Sequence, residues 1–103
     1  MIQVYQRTVK DKKMRTLHAV HVGSWVYVEN PSLDELKTLA TELLLDEGLL
    51  LDGIDPYEVP RLEVKDGTSY VFTRVPQEAG EEIATSPVLF VVSEHYLVTI
   101  SLR

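Results

Sequence analysis

The residue types that carry chemistry in this 103-residue chain are its 16 acidic side chains and 3 histidines; cysteine is absent. Without cysteine there is no disulfide framework, thiolate metal site or catalytic thiol. His18 and His21 stand three apart, a spacing that joins ligands on a helix. They fall in a stretch read below as a strand, where i and i+3 point to opposite faces, so a shared metal is not expected. His95 falls in a hairpin turn. Ser, His and Asp all occur, but no nucleophile elbow organises them. The 5 glycines are scattered, so no phosphate-cradling loop forms. What remains is acidic. Asp52, Asp55 and Glu58 lie close together and could make a diffuse patch that attracts cations. Asp55, before Pro56, is equally a turn former. Asp46 and Glu47 divide in the same way between helix capping and cation attraction, with capping favoured. Trp25 reads as a sheet or core residue rather than a stacking platform.

The charge balance agrees with that emphasis. A net charge of −6 and a pI near 4.9 argue against nucleic acid, because neutralising phosphates requires a basic face. The one dense basic segment, Lys10–Arg15 (KDKKMR), reads as a solvated turn between strands. Hydrophobic content of 45% and charged content of 25% are those of an ordinary globular protein, and the length suits one small domain. The amino terminus lacks the apolar run of a signal peptide. The longest apolar stretches, such as Val88–Val92, fall far short of the ~20 residues that span a bilayer. The chain as it stands is expected to be soluble.

The elements that must position the acids follow from pattern. Residues 2–9 alternate as a strand, the basic turn leads to a second strand over Leu17–Val22, and SWVYVEN makes a third over Trp25–Glu29. Asn30-Pro31-Ser32 stops the sheet and opens a helix, with Ser32 as N-cap and Glu35 at the capping-box spacing. Leu33, Leu36, Ala40, Leu43 and Leu44 give its apolar stripe. Asp46 caps a second, short helix through Leu51, ended by Gly53 and prevented from continuing by Pro56. Two hairpins follow. Arg61–Val64 and Tyr70–Val75 flank an Asp66-Gly67 turn. Pro76 to Glu82 is a polar loop, and Val88–Val92 and Tyr96–Leu102 pair across Glu94-His95. VLFVV, apolar throughout, is expected to be a central strand buried on both faces. The fold class is therefore α+β: a mixed or antiparallel sheet of about six to seven strands, with two helices inserted after the third and covering one face. The other face is left open. With the chain ending in mid-strand at Arg103, this suggests a missing covering element and a tendency to self-associate.

From Ser24 to Ser101 the chain resembles the amino-terminal domain of the CorA family of divalent-cation transporters. Trp25–Pro31 is similar to the family's tryptophan-bearing strand running into a helix start. Leu50–Glu63 resembles its helix end, Asp-Pro turn and Arg-Pro-Lys-Val-Glu strand. Tyr70–Pro76 and Tyr96–Ile100 resemble two of its later strands. The order and spacing carry the likeness, since no single piece is specific. Leu51 stands where an acid is common, Val59 where an arginine is, and Asp46-Glu47 where His-Pro often appears.

The resemblance implies the cytosolic, magnesium-sensing part of a homopentameric Mg²⁺/Co²⁺ transporter, on the cytoplasmic side of the cell membrane. A long stalk helix, two membrane helices and a Gly-Met-Asn signature would lie beyond Arg103, so the chain alone transports nothing. It also implies a role for Asp52, which matches the family aspartate that ends the second helix, faces the neighbouring subunit and helps hold a regulatory Mg²⁺. Asp55 is a weaker candidate. The partner carboxylate comes from the stalk, so no tightly bound ion is expected in this chain. Two other classes stand beside this reading. A stand-alone binding or oligomerisation module would share the fold. A small enzyme would need a convergent polar site that the sequence does not present.

Overall fold

The computed structural model describes residues 1–6, 15–17 and 22–102, with backbone alone for 15–17 and Ala79. His18, His21 and most of the KDKKMR segment lie outside the described residues. The element order is β1 (Ile2–Gln6), β2 (Arg15–Leu17), β3 (Ser24–Glu29), α1 (Leu33–Leu43), α2 (Glu47–Asp52), β4 (Arg61–Lys65), β5 (Thr68–Ala79), β6 (Glu82–Val92) and β7 (Tyr96–Ser101). Among the described residues the strands form one seven-stranded mixed sheet in the order β2-β1-β3-β7-β6-β5-β4. Only β3 and β7 pair parallel; every other pair is antiparallel. The α+β architecture with two helices after the third strand is as expected.

Register decides what each face carries. One row runs Ile2, Val28, Ile100, Leu89, Phe72 and Arg61; the next runs Val4, Val26, Val98, Val91, Tyr70 and Glu63. These rows face the helices and form the core with Leu36, Leu39, Ala40 and Leu50. Each row ends in a charge where it reaches the edge strand β4. The opposite face carries Tyr5, Trp25, Leu97 and Val92 in one row and Tyr27, Thr99, Phe90, Val71 and Leu62 in the next. No described helix covers this face. VLFVV is therefore buried on one face only: Leu89 and Val91 are fully buried, whereas Val92 is 47% exposed. Its continuous apolar run predicts two covered faces, but the helical layer supplies one.

Helix α1 begins as expected. The Ser32 hydroxyl accepts from the Glu35 N–H at 3.1 Å and the Glu35 carboxylate accepts from the Ser32 N–H at 2.9 Å. Its stripe differs from expectation. Leu36, Leu39 and Ala40 are buried, while Leu33 lies exposed in the first turn and Leu44, in the left-handed conformation at the C-cap, is 90% exposed. The Tyr96 hydroxyl donates to the Leu43 carbonyl at 2.9 Å and so satisfies one of the acceptors left open at the helix end.

Helix α2 has six residues, too few to persist without tertiary support. Asp46 caps it by accepting from the Leu49 N–H at 2.9 Å, and its second carboxylate oxygen pairs with the Lys65 ammonium. Its own N–H donates to the buried Tyr70 hydroxyl at 3.0 Å. Gly53 does end the helix, but in a right-handed conformation, φ −65°, rather than the left-handed one a C-terminal glycine usually supplies. Its reason is space. A Cβ there would lie 2.6 Å from Leu89 Cδ2 and 2.9 Å from Leu89 Cβ.

The Asp66-Gly67 turn is as read, with both residues at positive φ, 51° and 77°. The polar loop at Pro76–Glu82 is instead strand: β5 and β6 stay paired out to Ala79 and Glu82 and turn at Gly80. Pairing of β5 with β4 stops at Phe72, and pairing of β6 with β7 starts at Val88. Pro76, four residues past Phe72, and Pro87, one before Val88, both sit beyond those limits, on a two-stranded ribbon where each strand has one paired neighbour and proline is tolerated. Polar composition hides a strand whose described side chains are exposed or only partly buried.

Two outcomes follow. Gly53→Ala should lower stability by about 1–3 kcal/mol in urea unfolding, because the new methyl overpacks Leu89; an unchanged midpoint would show that Leu89 moves aside freely. The Lys65 hydrogen bond, then the Leu49 N–H, hold the Asp46 carboxyl below its ordinary value, and the same pair raises Lys65. The pair's contribution is thus full above about pH 3.9, lost as pH falls through the lowered Asp46 value, and lost at the alkaline end only as pH rises through the raised Lys65 value. The stability difference between wild type and Asp46→Asn, followed by chemical denaturation, should be flat from about pH 5 to 9 and shrink in acid.

Candidate functional site

Asp52 is the last residue of α2, and Asp55, Glu58 and Arg61 follow in the descent to β4. The loop is tightly held. Asp55 accepts from the Tyr57 N–H at 2.9 Å through one carboxylate oxygen, and its backbone N–H donates to the Asp52 carbonyl at 3.2 Å. Asp55 thus acts as a turn former. The Arg74 guanidinium reaches from β5 to the Pro56 carbonyl at 2.8 Å and the Glu58 carbonyl at 3.3 Å. It also donates to the Thr85 hydroxyl at 2.7 Å. The loop is pinned to the sheet through its carbonyls.

Arg61 is the centre of the acidic patch. Its Nη2 meets the Asp52 carboxylate at 2.9 Å, its Nε meets Glu58 at 3.1 Å and its Nη1 meets Glu63 at 3.2 Å. The guanidinium lies 4.2 Å from the centroid of the Phe72 ring, a cation–π contact made possible by their pairing across β4 and β5. Glu58 is mostly buried, whereas the Asp52 side chain is 46% exposed. The patch read as diffuse is therefore an organised ion-pair cluster about one arginine. Sequence reasoning assigned no role to Arg61; the only local signal is its spacing, three after Glu58 and two before Glu63 on alternating strand positions.

Could these residues hold a divalent ion? Among the described residues no group of three or more His, Asp or Glu side chains has the arrangement to do so. Asp52 offers a solvent-facing carboxylate of the hard-oxygen type that Mg²⁺ prefers, and Mg²⁺ keeps several of its waters. One half-exposed carboxylate, paired with Arg61, does not by itself make a metal site. Asp46 is absent from this cluster, since its oxygens are engaged by Leu49 and Lys65. Beside it lies a pocket of about 220 Å³ lined by Leu44, Leu45, Asp46, Lys65, Asp66 and Tyr70. Its Lys65 and Asp46 already neutralise each other. Trp25 lies on the open face, with its indole N–H donating to Thr99 at 2.9 Å and its ring 5.4 Å from that of Tyr5. It is a sheet residue, as read. His95 sits in the bend before β7, also as read.

Comparison with known proteins places this geometry. The chain matches the complete structure of the CorA magnesium transporter from Methanocaldococcus jannaschii with a TM-score of 0.82 at 18% identity, covering 100% of this chain and 32% of that one. It matches the soluble domain of the same organism's CorA with a TM-score of 0.78 at 21% identity, covering 97% of this chain and 40% of that one. The chain thus spans about a third of the complete transporter it resembles. No helix among the described residues is long and apolar enough to cross a membrane. No curated protein matches the chain. The model of the CorA-like Mg²⁺ transporter protein family matches residues 21–103, most of the length. With the family model matching most of its length and its fold like that of the two CorA structures, the chain belongs to the CorA-like Mg²⁺ transporter family.

Proposed function

We propose that this chain is a cytosol-facing regulatory domain of a CorA-like Mg²⁺/Co²⁺ transporter, acting in a parent protein whose stalk and membrane helices lie beyond Arg103. The observation that carries this reading is the family match over residues 21–103; the likeness to the soluble domain of a CorA supports it. The domain catalyses no reaction and transports nothing by itself. Its task is to respond to the cation the parent carries. Asp52 ends α2 with its carboxylate toward solvent, where a neighbouring subunit of a pentamer can approach. Mg²⁺ held there would offset repulsion between acidic subunits and favour one arrangement of the assembly. Its loss would release the subunits, a population shift driven by differential binding. Asp55, committed to its turn, contributes charge rather than coordination.

A second reading, a stand-alone binding or oligomerisation module, is favoured by the sheet face with half-buried Trp25, Tyr27 and Phe90 and exposed Val92, which no described helix covers. An apolar face of this kind is an association surface until something covers it.

Sequencing the gene past the codon for Arg103 separates the two. The transporter reading expects a long helix, two apolar segments of ~20 residues and Gly-Met-Asn; a stop codon close behind Arg103 would leave the module. The chain by itself should also self-associate through the open face. Sedimentation is expected to give oligomers that Val92→Glu weakens at least several-fold; a monomer at high concentration for both proteins would rule out association through this face.

A further inference from the structure

We infer that the outer edge of β4 is a strand-addition site for a second copy of this chain, the two β4 strands pairing antiparallel about a two-fold axis at Leu62. This goes beyond the transporter reading and does not depend on it. β4 is the last strand of the sheet, with β5 on one side only. Which of its backbone groups reach β5 follows from the turn. Asp66 and Gly67, both at positive φ, make a two-residue connection between Lys65 and Thr68. Lys65 and Thr68 are therefore a hydrogen-bonded pair, and such pairs alternate along the ladder. Arg61, Glu63 and Lys65 thus direct their N–H and C=O groups to β5. Leu62 and Val64 direct theirs outward, where no described residue bonds them. Their side chains are 63% and 65% exposed. The edge combines unpaired backbone groups with exposed aliphatic side chains, the two features that a further strand satisfies.

The residues of the edge select the partner. From Pro60 to Val64 they read Pro-Arg-Leu-Glu-Val, with opposite charges placed symmetrically about Leu62. Residues opposite each other must point to the same face, so the two-fold axis has to pass through a residue. An axis at Glu63 sets Glu63 against Glu63 and Arg61 against Lys65, like charges directly opposite, which is unfavourable. An axis at Val64 sets Leu62 against Asp66, already in the turn. At Leu62 the match is good: each Arg61 faces the second copy's Glu63, Leu62 faces Leu62, and Pro60 faces Val64. Each Leu62 N–H then donates to the second copy's Leu62 carbonyl, and each Val64 N–H to the second copy's Pro60 carbonyl. Pro60, without an N–H, serves as acceptor only. Lysine and proline commonly guard edge strands. Here Lys65 is drawn back to Asp46 and Pro60 keeps its carbonyl, so they narrow the register without closing the edge. Leu62 lies in the open-face row with Val71 and Phe90, so pairing continues that face from one copy to the next.

The test is amide exchange of isotope-labelled protein at low and high concentration, read by NMR at Leu62 and Val64, with sedimentation alongside. Both amides should exchange freely in dilute protein and become protected at least several-fold as concentration rises; the interface is small, so association is weak. Glu63→Gln should weaken association about threefold by removing both opposite-charge pairs. An axis at Glu63 expects strengthening instead, as the facing like charges are relieved, and that result would overturn the pairing. Val64→Pro should weaken association about tenfold by removing both Val64 donors, while the ladder to β5 stays intact because the lost N–H faces solvent. Val92→Glu, on the interior strand β6, should leave both amides protected; loss of protection there would assign the association to the open face and overturn edge pairing. Leu62 and Val64 amides that exchange freely in the wild type at every concentration would overturn the inference whatever the variants do.

Discussion

The contact on which the helical layer depends is the approach of α2 to Leu89. Six residues do not make a persistent helix, so α2 exists because Leu50 is buried and Gly53 lets the backbone settle against the sheet. Leu89 is fully buried on an interior strand, between Phe72 and Ile100 in register. The helix is thus set on the least yielding part of the core. Its end then fixes where Asp52 emerges and how the loop to β4 descends. Asp46 fixes its start, with one oxygen on the Leu49 N–H and the other on Lys65 of the neighbouring hairpin.

Beyond that contact the descent is governed by two arginines with different tasks. Arg74 neutralises no carboxylate in the loop; it binds the loop's carbonyls and ties them to the ribbon. Arg61 handles the side chains. It converts what would be mutual repulsion among Asp52, Glu58 and Glu63 into a shared arrangement. Individual exposed pairs contribute little to stability, typically under about 1 kcal/mol. The importance of Arg61 lies in joining two half-exposed carboxylates, Asp52 and Glu63, to the mostly buried Glu58.

The open sheet face is the counterpart of this one-sided layering. Two short helices cover the rows containing Val26, Val98 and Leu89 and cannot wrap round to Trp25 and Phe90. A sheet of this width with one apolar face uncovered among the described residues calls for a further layer or a partner. The chain spans about 40% of the soluble CorA domain it resembles, which leaves ample protein in such relatives to provide one.

Local chemistry was legible in the sequence wherever its rules act within a few residues. The capping box at Ser32, the Asp46 cap, the Asp66-Gly67 turn, the α+β order and the family likeness were all readable, because caps and turns are satisfied by neighbours along the chain. The single covered face could also be foreseen from the amount of helix. Three things were settled only in three dimensions. The Pro76–Glu82 stretch is a ribbon, because pairing between two strands requires no burial to mark it. Gly53 is needed for Leu89, a residue far along the chain, not for its own backbone angle. Arg61 unites Asp52, Glu58, Glu63 and Phe72 because strand register brings a helix end, a loop and two strands to one point. Sequence by itself determined which acids were available. Long-range pairing decided which of them share a cation, since the distance between charges, and not their separation along the chain, sets their interaction.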